Sequence, residues 1–358
     1  MRSLVLIPQL HTLGYTILDA GKTAPVSSGK LSPFSPDKIQ ASNFGSQSRS
    51  PLKTKKERPI DAVAIRCPFG GPEFDSPVLL SAKVLDELEK LASSAPLHIP
   101  ALIKLARRCE NVFQDIPIAI VFETSFFTVL PPYERCYGLD PNAATGSTSR
   151  RYGYHGLFHE AACRNSIHRL NEERKGKEDS SPRRIISICM EPQPEIAAVM
   201  GSKPIMATSG TTPLEGLPGH TTCGELDPGI VLTLADKLQW GPEQINNVLT
   251  RESGLLGLTE RPMTMGSLWN SESSESCLAR EVMDYRILRA CGASVAALGG
   301  VDAIVFSGRF ADSGNVLGPW LASKLQSLPG LSDKLLTWTC FRESLDSIIA
   351  EAATTVAL

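Results

Sequence analysis

The chain has 358 residues, long enough for two domains with sizeable cores. Its hydrophobic content of 42% and charged content of 21% are ordinary for a globular protein, and a net charge of −2 gives no electrostatic case for nucleic acid or a membrane surface. Nine cysteines, an odd number without CxxC spacing, argue against a disulfide framework or a zinc ribbon and suit reduced thiols in the cytoplasm. No apolar run approaches the roughly 18 residues that would suggest a membrane span.

Leu4–Ile7 and Leu13–Leu18 read as the strands of a hairpin. Residues 20–58 are rich in Ser, Pro, Lys and Gly and carry too little apolar surface to offset ordering, which predicts a mobile insert; Lys53–Arg58 within it reads as a solvated basic loop. Ala62–Ile65 is a predicted strand delivering Arg66 at its end. Ser81 is placed to cap a helix through about Leu91, and Ile99–Cys109 predicts another. Ile118–Phe122 is an apolar strand ending at Glu123, and charged residues at strand ends are typical site positions in α/β folds. Ile185–Met190 is a further strand. Asp227-Pro228 starts a helix, as does Pro242, and Arg280–Leu298 predicts a long one. The strand Ala303–Phe306 and a helix over Ser344–Val356 follow. Strands and helices alternate in two blocks, which predicts two α/β domains.

The densest chemistry lies in Arg150-Arg151-Tyr152-Gly153-Tyr154-His155-Gly156-Leu157-Phe158-His159. Glycines on both sides of Tyr154-His155 allow a tight turn and close approach to a ligand. His155 can donate to an oxyanion, and the arginines can hold carboxylate or phosphate. Cys223 beside His220 supplies two metal-ligand types, but a buried or idle thiol is the better reading of so short a pair.

That stretch resembles a signature of the acetate kinase family. The family's other segments appear in its order: Arg66 with Gly70-Gly71, Ala95–His98, Val121–Thr124, Thr212–Leu217, Leu226–Pro228, Ser253–Gly257 and Gly299–Phe306. The resemblance implies a duplicated actin-like, sugar-kinase-like fold of the ASKHA and ribonuclease H-like type. Its domains would be residues 1–124 and 125–343, with residues 344–358 packing back on the first and the site in the cleft between the two. It implies an ATP- and Mg²⁺-dependent transfer of phosphate to acetate or another short carboxylate, giving ADP and an acyl phosphate, and it implies a homodimer.

Carried over position by position, the resemblance makes Arg66 the carboxylate-binding residue and His155 the stabiliser of the transferring phosphoryl group. Glu123 stands where the family has an aspartate, and Glu343 where it has a magnesium-linked glutamate. Thr222 stands at a second arginine, and Phe69 and Phe127 at two histidines. In the first hairpin turn Ile7, Leu10 and Gly14 replace an asparagine, a serine and a lysine, and Thr12 alone keeps a hydroxyl. On the nucleotide side Glu191, Pro192, Gln193, Pro194 and Glu195 replace a glycine-asparagine-glycine turn, removing backbone donors and directing two carboxylates toward a polyphosphate. Gly308, Arg309 and Asp312 belong to a loop that the family keeps glycine-rich, and Thr264-Met265-Gly266 replaces a nucleoside-binding segment. The expectation is a carboxylate kinase impaired on its nucleotide side. The alternatives are a non-catalytic relative that binds a metabolite or partner, and an enzyme with another donor or acceptor.

Overall fold

The computed structural model describes every residue except 10, 23, 37–38, 45–58, 141, 143–149, 174–180, 329, 332–335 and 358. The readings of Leu10 and of the basic run Lys53–Arg58 fall outside the described residues. The rest forms two compact units, Met1–Thr128 with Glu343–Leu358, and Val129–Arg342.

The first unit is built on a six-stranded sheet of β1 (Arg2–Pro8), β2 (Leu13–Asp19), β3 (Ser27–Leu31), β4 (Ala62–Cys67), β5 (Val78–Leu79) and β6 (Ile118–Phe122), in the order β3-β2-β1-β4-β6-β5. β1, β4 and β6 run parallel, and β2 and β3 return antiparallel. Leu4, Leu6, Val63, Ile65 and Ile120 are fully buried, as expected of central strands covered on both faces. Ser81 caps the helix Ala82–Lys90 by accepting from the Val84 N–H. The helix Leu345–Ala357 packs on β1, β4 and β6, burying Ile348 and Ile349.

The sheet of the second unit contains β7 (Arg184–Cys189), β8 (Glu195–Met200), β9 (Lys203–Ala207), β10 (Ala303–Ser307) and β11 (Thr337–Cys340), ordered β11-β10-β7-β8-β9. β7, β10 and β11 are parallel, while β8 and β9 are antiparallel returns. Read from the antiparallel edge, β9-β8-β7-β10-β11 repeats β3-β2-β1-β4-β6 in order and direction. The same figure therefore occurs twice in the chain.

The described residues of 20–58 are partly anchored to the sheet rather than forming one mobile insert. Ser27–Leu31 pairs with β2 as β3, and Ile39 and Phe44 are 1% and 0% exposed. Phe44 packs edge-on against Tyr15, with ring centroids 5.3 Å apart, and lies 5.9 Å from Phe113. Average composition hid these few anchors. The long helix begins at Ser274 rather than Arg280, because the Ser273 side chain accepts from the Ser276 N–H and starts it earlier. The serine run Ser271–Ser276 reads as loop by composition, yet it supplies the cap.

Candidate active site

In the first unit, β4 and β6 are parallel neighbours in register, Arg66 opposite Val121 and Cys67 opposite Phe122. Both strands therefore end at the same level, and Arg66 meets Glu123 there. The Arg66 Nε–H donates to Glu123 Oε1 at 2.6 Å. Glu123 is 2% exposed, and its Oε2 has no partner among the described residues. The arginine thus binds its carboxylate through Nε alone, and its terminal amino groups have no partner among the described residues. Gly70 donates its N–H to Thr124 Oγ1 at 2.9 Å, and a Cβ there would lie 2.9 Å from the Phe122 ring. Burial, and then the Arg66 charge, lower the His98 pKa below its ordinary value. Cys67 is buried beside the pair, and desolvation raises its thiol pKa to about 12, so it is inert.

In the second unit the turn Gly153–His155 leads into the helix Gly156–Glu173. Gly153 and His155 both have positive φ, +69° and +49°. For a histidine this conformation costs roughly 1–2 kcal/mol and needs support. The support comes from the segment Glu191–Glu195. His155 Nε2 lies 3.0 Å from the Gln193 carbonyl, an acceptor only, so the proton sits on Nε2, and Nδ1 has no hydrogen-bond partner among the described residues. The Tyr154 N–H donates to both carboxylate oxygens of Glu195 at 3.0 Å. Pro192 O accepts from His220 N–H at 2.7 Å, and Glu191 Oε1 accepts from the Arg309 N–H at 2.6 Å. Glu191 Oε2 lies 3.5 Å from the Arg309 guanidinium. Gly308, at φ +85°, allows this approach, since a Cβ there would lie 2.9 Å from the Met190 carbonyl.

Thr222 lies in the same cluster. A Cβ on Gly219 would collide with the Thr222 hydroxyl and lie 2.8 Å from Pro192 O and 3.3 Å from Gln193 Cα. The Thr222 Oγ1 and Gln193 Nε2 atoms are both buried without a partner among the described residues. Gln193 also carries the carbonyl that meets His155, so both groups belong to the cluster around Glu191–Glu195.

The acetokinase family profile matches residues 39–356. An acetate kinase from Thermoanaerobacterium thermosaccharolyticum is 32% identical over 279 residues, covering 77% of this chain and 68% of its own. One from Desulfotalea psychrophila is 34% identical over 281 residues, with coverages of 77% and 67%. The chain belongs to the acetokinase family. Its fold is that of the acetate kinase from Porphyromonas gingivalis (TM-score 0.85, 23% identity, all of both chains) and of a propionate kinase from Francisella tularensis (0.82, 22%, 99% of each). The duplicated α/β fold expected from the resemblance is the one found.

Several side chains in this family member do something other than what the sequence suggests. Glu195 does not face a ligand: it is 0% exposed, opens β8 and holds the Tyr154 amide. Glu191 is turned to Arg309, so neither carboxylate stands open toward a polyphosphate. Arg151 is not an anion-binding arm. Its NH1 donates to Thr208 O and Ser209 O at 3.0 Å each, its NH2 donates to Glu215 at 2.7 Å, and its Nε lies 3.5 Å from Glu134. The Arg150 guanidinium lies over the Tyr152 ring, 5.0 Å from its centroid. His220 Nε2 accepts from the Met265 N–H at 2.9 Å, which occupies the lone pair a metal would need. Phe69 and Phe127, at 6% and 0% exposure, are core residues.

The Thr12 hydroxyl closes its own turn by donating to Gln9 Oε1 at 2.9 Å. Asp312 accepts from Arg342 Nε at 2.7 Å. Glu343 lines a cavity of about 340 Å³ in the first unit with Asp19, Lys22 and Glu351. Among the described residues no group of three or more His, Cys, Asp or Glu is arranged to hold a metal. No helix among them is long and apolar enough to cross a membrane.

Proposed function

We propose that the chain is a carboxylate phosphotransferase that binds a short carboxylate, such as acetate or propionate, at Arg66 and grips ATP weakly. The Arg66–Glu123 pair carries this reading. A carboxylate is already an anionic nucleophile and needs no base; it needs to be held against the charge of the group it attacks. Glu123 takes the Nε–H of Arg66 and so fixes the plane of the guanidinium. The remaining amino groups match the two oxygens of a carboxylate in a fork. In the second unit His155 presents Nδ1, an acceptor when the ring is neutral and a donor when it is protonated. Thr222 brings no charge to the family's second arginine position, and its hydroxyl is buried, so less negative charge is compensated there than an arginine would allow.

ATP and Mg²⁺ fit the described residues poorly. Pro192 and Pro194 lack N–H groups, the Arg309 N–H is occupied by the Glu191 carboxylate, and the only predicted metal ligand, Glu343, has no ligand set around it. The occupied Arg309 amide also favours a second reading, a family member that binds the carboxylate without turnover.

The test is acyl phosphate trapped as hydroxamate from acetate and propionate with ATP and Mg²⁺, run beside calorimetric titration of the same carboxylates. Hydroxamate that saturates with carboxylate and vanishes in R66M is expected. Carboxylate binding without hydroxamate would select the second reading, and neither binding nor product would overturn both.

A further inference from the structure

We propose that Glu195, backed by His159, is a positioning residue that holds His155 in its unusual backbone conformation and fixes the direction of its ring. The inference rests on the reading of His155 as a ligand-facing group. A histidine at φ +49° is not held by its own preferences, and this chain clamps it from both sides. Before it, the Tyr154 N–H is shared between both oxygens of Glu195, each at 3.0 Å. At its ring, Nε2 meets the carbonyl of Gln193, two residues before Glu195 on the same segment. After it, the His159 N–H donates to the His155 carbonyl at 3.1 Å, in the first turn of the helix.

His159 also closes the arrangement from behind. Its Nε2 lies 3.4 Å from Glu195 Oε2, and its Nδ1 lies 2.8 Å from Ser187 Oγ on β7. Ser187, His159 and Glu195 are all fully buried. A line of buried polar groups therefore runs from the sheet through His159 and Glu195 to the amide preceding His155. The Ser187–His159 and Tyr154–Glu195 links are hydrogen bonds, and the His159–Glu195 link is an approach at 3.4 Å that falls short of one. Ser187, His159 and Glu195 have the residue types of a hydrolytic triad, but no substrate reaches a serine with 0% exposure. What the line can do is transmit the rigidity of β7 to one turn. A misplacement of about 1 Å in such a turn can cost on the order of a hundredfold in rate.

The experiment uses full-length protein with ¹⁵N-labelled histidine, the His155 ring being assigned from H155Q. In E195Q and E195A the His155 ring signals should move toward those of a solvent-averaged ring while His98 and His168 stay in place. Hydroxamate formation should fall about tenfold or more with KM for the carboxylate little changed. In an H155Q background E195Q should add almost nothing, because the two residues act through one another. Unmoved His155 signals in folded E195Q would overturn the proposal. So would an equal rate loss from E195Q with and without His155, which is what a merely structural role would give. If E195A does not fold, the isosteric E195Q decides. If the wild-type chain makes no hydroxamate, the proposed function fails, and the ligand-free ring spectra still decide this inference.

Discussion

Each of the two repeated sheets ends in an arginine–glutamate pair, and the two pairs are built differently. In the first unit Arg66 and Glu123 lie at the ends of β4 and β6, with side-chain exposures of 21% and 2%. In the second, Arg309 and Glu191 follow β10 and β7, with exposures of 63% and 12%. The first pair is a side-chain bond of 2.6 Å that leaves the arginine's outer donors available. The second has its strong bond on the Arg309 backbone N–H, and the guanidinium lies at a loose 3.5 Å. One unit thus leaves the outer donors of a guanidinium open, whereas the other uses a carboxylate to occupy a backbone amide.

The sharpest way to break this comparison is to delete both arginines in turn. R66A strands a buried carboxylate and is expected to cost about 3–5 kcal/mol, read from the urea midpoint. R309A should fall within about 0.5 kcal/mol, because the backbone bond to Glu191 survives. Equal costs would mean that the pairs are equivalent after all. G308A comes next, at about 1–3 kcal/mol, since a Cβ meets a backbone carbonyl that cannot rotate away and φ is +85°.

E191A should leave stability nearly unchanged and free the Arg309 N–H. Calorimetry should then show ATP binding strengthened about tenfold, the equivalent of one charge-assisted hydrogen bond. Unchanged binding would mean that this amide is not a phosphate donor.

The smallest effect is that of pH on His98. Its folded pKa lies below the ordinary 6.5, through burial first and the Arg66 charge second. The unfolded chain therefore takes up the proton first, and stability should decline as pH falls below 6.5 and level off below the folded pKa. In R66M the ring should titrate at a higher pH, measurable by NMR.

Much of the fold was legible in the residues. The first hairpin, the Asp227 cap and the strand ends carrying Arg66 and Glu123 follow from apolar runs and capping chemistry that act within a few residues. Partner choice was less legible. Glu195 reads as a loop acid until β8 is seen to start at that residue and turn it inward, opposite Cys189. Glu191 and Arg309 each read as a damaged loop, and their pairing spans 118 positions, beyond any local pattern. The role of Arg151 is hidden for the same reason, since its acceptors Thr208, Ser209 and Glu215 lie on a distant segment. The signal available for the segment Glu191–Glu195 was its prolines, which mark a chain that supports its neighbours by carbonyls and side chains rather than by amides.

The closing helix has a consequence for biogenesis. Ile348 and Ile349 fill the core of a unit whose strands all lie between Arg2 and Phe122. A nascent chain that folds as it leaves the ribosome can complete the intervening unit first, while the strands of the first unit wait for this helix to arrive. Losing that helix would thus uncover strands that were synthesised well before it.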